Sequence, residues 1–457
     1  MKLIIKITFV SLICSILVGC DDFTETDLPP TQLYSEYVFE DKATAMAAMA
    51  DVFARMRDNA VLSGTTSGMS HQLGLYSDEL DYFGNVAEST IFYQNALLPS
   101  TSSVGGWWNE SYKQIYATNS IIEGVNASNT LISSDKDLLL GEAYFVRAFI
   151  HLNLTLLFGD IPYIVTTDYR SNSHVSRIPQ SNVFDLIVAD LEIAKQKLGA
   201  EYTENERIRP NKFAANALLA RTYLFAGKWE EAIDQASIVI NETSKYTPET
   251  DLGNVFLKNS TTTIWQFKPR VEGRNSDEGV TFIFTQTPPP GPVLSTSLIS
   301  SFEPGDLRKE NWTQAVTNGA ATWFHANKYK KNINTGTSVE YSIILRLAEQ
   351  YLIRAEARAQ NGDLIGAKED LNVIRIGAGL NETTANTQAQ ILQAILNEIR
   401  VEFFTEYGHR FFSLKRFNQL DSALSSKPGW NSTDRLLPVP EREIGLNPNL
   451  APQNPGY

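Results

Sequence analysis

The sequence predicts a mainly α-helical fold: a tetratricopeptide-like scaffold of helical hairpins with an embedded loop-rich, ligand-binding region that contains short strands. Three observations predict it. Phe213, Ala217, Ala220 and Leu224 step by four, three and four, which is one helical face, and after Gly227 a second stripe runs through Trp229, Ala232, Ala236 and Val239. The pattern returns 135 residues later as Ala348, Leu352, Ala355 and Ala359, then Gly362, then Ala367, Leu371 and Ile374. Between the copies, from about 245 to 338, the helical period fades. Alanines at 220, 232, 355 and 367 let two helices approach closely across a glycine turn. Each hairpin leaves apolar surface uncovered until another stacks on it.

The chain has 457 residues, of which 43% are hydrophobic and 20% charged, enough apolar content for a large core without disulfides. Residues 1–19 read as an export signal: Lys2 and Lys6 precede an apolar run, Ile7 to Val18, that is too short to span a membrane. The run ends in Leu17-Val18-Gly19-Cys20, which resembles a bacterial lipobox and makes Cys20 the expected lipidation site. Cys20 is then the only cysteine left, so no internal disulfide forms. Net charge is −13; removing the two leader lysines makes it −15. That sign argues against nucleic-acid binding and against electrostatic attachment to anionic lipid, so the expected membrane contact is the lipid anchor alone.

In chain order, residues 20–30 are acidic, end in Pro29-Pro30 and read as a lipidated, extended tether. A single domain is expected over 31–457. Asp41 to Arg57 is Ala-rich and amphipathic, a helix. Ser63 to Ser103 carries Gly64, Gly68, Gly74, Gly84 and Pro99 and reads as irregular. Gly105-Gly106 leads into a helix with Trp108, Tyr112, Ile115 and Asn119 on one side. Further helices are expected at Asp137 to Leu157, stopped by Gly159 and Pro162, and at Pro179 to Leu198. The two hairpins occupy about 213–241 and 348–376. Within the loop-rich insertion, Ile264 to Phe267 and Val280 to Phe284 read as strands, and Pro288 to Pro292 as a rigid loop. A helix at Ile395 to Thr405, another holding Leu414 and Phe417, and a Pro-rich tail complete the chain.

Several segments carry a specific resemblance. They are Gly141 to Ala148 (GEAYFVRA) with Phe158 to Pro162 (FGDIP), Leu347 to Ala357 (LAEQYLIRAEA), Glu402-Phe403-Phe404 with Glu406 to Arg410, and Leu414-Lys415-Arg416. The endings Leu437 to Pro440 and Asn454 to Tyr457 fit as well. Together they resemble the SusD/RagB family of outer-membrane nutrient-binding lipoproteins. Tyr407 stands where that family usually has glycine, and Ser413 where it often has aspartate; both positions fall in the scaffold. The resemblance implies a lipid-anchored protein on the outer membrane, facing the exterior. It implies capture of oligosaccharide for a partner TonB-dependent transporter, with peptide as the alternative ligand. The acidic tether resembles a surface-export signal.

Sugar rings stack their C–H faces on aromatic side chains while their hydroxyls need short polar partners. Two stretches supply both, Tyr82 to Asn109 and Trp312 to Lys328. The candidate contacts are Tyr82, Trp107, Asn109, Trp312 and Trp323. Trp108 keeps helical step with Tyr112 and is expected in the core, leaving its neighbour Trp107 turned to the ligand. The five histidines show no metal-ligand spacing, and no nucleophile elbow, phosphate loop or dinucleotide fingerprint occurs. No catalysis, metal or cofactor is therefore expected. Carboxylate pairs such as Asp78 with Asp81 are of the type a glycosidase employs, but acidic pairs are commonplace and usually only solvated. A non-ligand-binding repeat adaptor is the remaining alternative.

Overall fold

The computed structural model describes residues 38–457; the leader, Cys20 and the tether lie outside the described residues. Among the described residues the helices of ten or more residues are α1 (Lys42–Asp58), α2 (Ser102–Ala127), α3 (Ser133–Phe158), α4 (Gln180–Lys197), α5 (Lys212–Phe225), α6 (Trp229–Ile240), α7 (Leu347–Gln360), α8 (Leu364–Gly377) and α9 (Gln388–Glu402). From α2 to α8 each packs chiefly on a neighbour in this series, α6 hands on to α7 across the insertion, and α9 lies against both α7 and α8. Local chemistry sets several boundaries. Asp41 caps α1 by accepting from the amides of Ala43 and Thr44, and Thr387 with Gln390 forms a capping box on α9. Gly227 and Gly362 turn the two hairpins at φ +71° and +89°, a region glycine enters without strain.

Both apolar stripes face inward. Phe213, Ala217, Ala220 and Leu224 join the main core, while Leu352, Ala355, Ala359, Ala367 and Leu371 form a second cluster closed by Ile391, Ile395 and Ile399 of α9. Bulk at either small-residue contact forces strain. Ala220→Trp and Ala355→Trp should each lower stability by about 1–3 kcal/mol or more in a denaturant melt. A neutral result at either position would break the paired-hairpin argument for that copy.

The segments that carry the resemblance are largely buried ion pairs. Glu142 pairs with Arg209, and Arg147 with Asp190 at 2.7 Å and Asn119 at 2.8 Å. Arg221 on the first hairpin grips Glu349 on the second at 2.6 and 2.7 Å, and Arg416 takes Glu356. Tyr407 sits at φ +41°, where a glycine would be relaxed. It is held there by two bonds: its amide donates to Ser70 Oγ and its hydroxyl to Glu278, both at 3.0 Å.

Among the described residues six short strands make three antiparallel pairs: β1 (Leu80–Tyr82) with β3 (Pro292–Leu294), β2 (Thr263–Phe267) with β6 (Ser342–Arg346), and β4 (Thr313–Thr317) with β5 (Thr322–Ala326). The insertion leaves through β2 and returns through β6, whose last residue Arg346 directly precedes α7. Trp265 anchors this gateway, with Phe145, Phe149 and Phe267 rings 5.0–5.5 Å away. Three expectations change. Asp277–Phe282 is a helix and not a strand, begun by Ser276, whose side chain accepts from Gly279 N. Gly105 and Gly106 lie inside α2, which already starts at Ser102. The stretch 63–103 holds two helices, Met69–Tyr76 and Ala87–Tyr93, which its glycines do not interrupt.

Candidate functional site

The loop-rich end gathers an aromatic platform on β1, β3 and the β4–β5 hairpin. The hairpin turns tightly because Asn318 Oδ1 accepts from the amides of Ala320 and Ala321, both at 3.0 Å, and Gly319 takes φ +88°. Trp323, opposite Val316 in the ladder, stands half-buried on β5. Its ring meets Phe83 edge to face, with centroids 6.3 Å apart and planes at 83°, and Phe83 is 51% exposed. Tyr82 flanks the pair. It is paired with Pro292 across the ladder, its ring lies against the main core, and its hydroxyl accepts from Val86 N at 3.2 Å. Gly84 makes that fit possible: a Cβ there would come within 2.5 Å of the Tyr82 hydroxyl and 2.9 Å of the Pro290 carbonyl.

The five candidate contacts separate. Trp323 and Tyr82 come to the platform. Trp107 does not: it is 2% exposed, donates its indole N–H to the Ser67 carbonyl at 2.8 Å and packs 5.5 Å from Phe92. Trp108, its neighbour, is buried too, edge-on to Phe158 at 5.0 Å. Adjacent side chains lie about 100° apart on a helix, and α2 is covered over an arc wide enough to take both. Trp312 is 1% exposed, donating to the Leu252 carbonyl at 3.0 Å and packing on Phe256. Asn109 lies half-buried along a separate cleft, with Tyr112 and Tyr116. Phe83 was missed although it lies in the stretch Tyr82 to Asn109 that was already picked out. Strand alternation from Leu80 inward and Asp81 outward points Phe83 outward.

The nearby carboxylates serve structure. Burial pushes the Asp78 carboxyl up, but Arg410 at 2.7 Å and Arg400 at 2.8 Å outweigh it and hold the group below the usual carboxylate range. Asp78 is thus committed as an ion-pair partner and is lost to the Asp78–Asp81 acid–base pair. Glu79 beside it is pushed up to about 8 by burial and by the Asp78 charge. Among the described residues no three His, Cys, Asp or Glu side chains converge to hold a metal ion. No described helix is long and apolar enough to cross a membrane.

Fold and platform define a helical-hairpin protein with a loop-borne aromatic face. A family model described as starch-binding and associating with the outer membrane matches residues 30–224, and the model of the SusD family matches residues 301–457. The chain belongs to the SusD/RagB family. SusD-like protein P2 of Formosa agariphila is 28% identical over 99% of both chains, and SusD-like protein P25 of the same organism is 22% identical over 98% of both. A SusD superfamily protein from Bacteroides vulgatus superposes with a TM-score of 0.78 at 18% identity, over 91% of this chain and 99% of that one. A structure described as a laminarin-binding SusD-like protein gives a TM-score of 0.76 at 21% identity over the same shares. These structures share the fold.

Proposed function

We propose that this chain is an outer-membrane lipoprotein, anchored through Cys20 and facing the exterior, that captures oligosaccharide on the Phe83–Trp323 platform and delivers it to a TonB-dependent transporter. The observation that carries the reading is the edge-to-face pair of exposed Phe83 and half-buried Trp323 at the loop-rich end. Its apolar area suits the C–H face of a pyranose, and an indole held half-exposed loses little freedom on stacking. The family model's starch-binding description and the laminarin-binding neighbour support a glycan ligand. The role is binding and handover, not catalysis.

Losing one stacking face costs about 1–3 kcal/mol. Trp323→Ala is therefore expected to weaken binding of a glycan selected on an array by about tenfold or more, with the melting temperature within a few degrees of wild type. Calorimetric titration at low and high salt reads it, and salt should barely move the affinity, because the contacts are stacking and neutral hydrogen bonds. Intact binding by the variant moves the site away from the platform. A blank glycan array with peptide binding would substitute peptide capture.

The anchor has its own test. Cys20→Ala should release the protein from the outer-membrane fraction while leaving its melt unchanged, because the tether precedes the first described helix. Unchanged fractionation would sink the lipobox reading.

A further inference from the structure

A second aromatic cleft lies on other elements. Trp108, Tyr112 and Tyr116 succeed one another at steps of four along α2 and line a cleft of about 420 Å³, whose far wall is the 162–175 segment and the 443–450 tail. The volume falls in the range of small-molecule sites, roughly 300–1,000 Å³. Its floor is fixed: Tyr112 donates its hydroxyl to the Pro162 carbonyl at 2.8 Å and its ring lies 5.0 Å from that of Trp108. Its rim is open, with Tyr116 54% and Tyr169 71% exposed. The core makes no use of those two rings. Between floor and rim stand polar groups with unspent capacity. The side chains of Asn109 and Glu443 are half-buried and have no hydrogen-bond partner among the described residues. Asn172 donates to the Thr166 carbonyl at 2.8 Å, which leaves its own carbonyl oxygen to accept.

We propose that this cleft is a second carbohydrate subsite, sized for one or two neutral pyranose rings; the inference extends the glycan-binding reading to a site that shares no residue with the platform. The chemistry selects that occupant. A purely apolar guest would cover Asn109 and Glu443 and leave them unpaired, stripped of water with nothing in return. A sugar satisfies both, because an amide offers donor and acceptor and a carboxylate accepts two hydroxyls. The Glu443 charge disfavours an anionic guest. Two separated sites on one chain would also raise its hold on a polymer above that of either site alone.

Saturation-transfer NMR on the full chain in detergent, with maltose and with laminaribiose as probes, tests the cleft. Transfer to at least one disaccharide is expected in wild type and retained in Trp323→Ala. In the Trp323→Ala background, which removes the platform, the double variant Tyr116→Ala/Tyr169→Ala should reduce it by roughly tenfold, and Asn109→Ala should reduce it independently. All three residues sit at the surface or half-buried, and an unchanged melt confirms folding. No transfer in wild type, or transfer unchanged in the double tyrosine variant, overturns the proposal. Transfer lost only in Trp323→Ala leaves the platform as the sole site and equally overturns it. Transfer that persists while Trp323→Ala keeps full affinity for longer glycans sinks the platform and leaves the cleft standing.

Discussion

Glu402→Ala should cost about 3–5 kcal/mol of stability, because it leaves two buried guanidinium groups short of an anion. Arg308 reaches Glu402 at 2.9 Å and Asp306 at 2.8 Å, and Arg346 pairs with both Glu402 and Glu406. Lys328 joins through Glu406 and donates to the Glu402 carbonyl at 2.7 Å. Phe403 and Phe404 cover the cations, 4.1 Å from Arg346 and 4.0 Å from Lys328. The network ties the insertion, through Asp306, Arg308, Lys328 and Arg346, to α9 and the turn after it. Burial alone would raise the Glu402 carboxyl, but Arg346 and Arg308 prevail and hold it at about 2, against an ordinary value of 4.5. A depressed folded-state value means stability that is complete above about 4.5 and is lost as pH falls towards about 2. Denaturant melts of wild type and variant across that window check both claims. Equal midpoints at neutral pH, or a gap between the two proteins that does not narrow on acidification, would show that the network does not bear on folding.

The scaffold was legible because its signals are local. The step of four and three needs no partner to be recognised, and the glycines at 227 and 362 adopt the left-handed turn that only their residue type takes freely. The second copy, displaced by 135 residues, gave the same reading independently. What misled was composition where tertiary packing decides. Gly105 and Gly106 sit in a helix because the ends on either side, including the buried Val104, Trp107 and Trp108, are held by the core. Asp277–Phe282 carries a strand-like Val-Thr-Phe, yet Ser276 opens it as a helix. Likewise Glu142, Arg147, Glu349 and Glu402 were recognisable as a pattern, but which cation each grips depends on partners 43 to 128 residues away or on neighbouring elements. No spacing rule supplies that.

The site was legible as two stretches and not as side chains, and Trp312 shows why. A tryptophan in a polar, loop-rich context reads as exposed, yet here the short helix Leu307–Trp312 presses it onto Phe256, with Lys328 Nζ 5.2 Å from its ring. Trp312→Ala should accordingly behave as a core truncation and cost about 3–5 kcal/mol in a denaturant melt. Part of that loss is the cavity. Part is the Leu252 carbonyl, which loses its donor, and the Lys328 ammonium, which loses an aromatic cover inside the ion network. Glycan affinity measured well below the melt should stay within about twofold of wild type, since a residue outside the contact surface contributes little to binding. Trp323→Ala should give the opposite pair of results, so the two tryptophans separate fold from function on the same insertion. Trp312→Ala with an unchanged melt and abolished binding would place Trp312 in the ligand face after all.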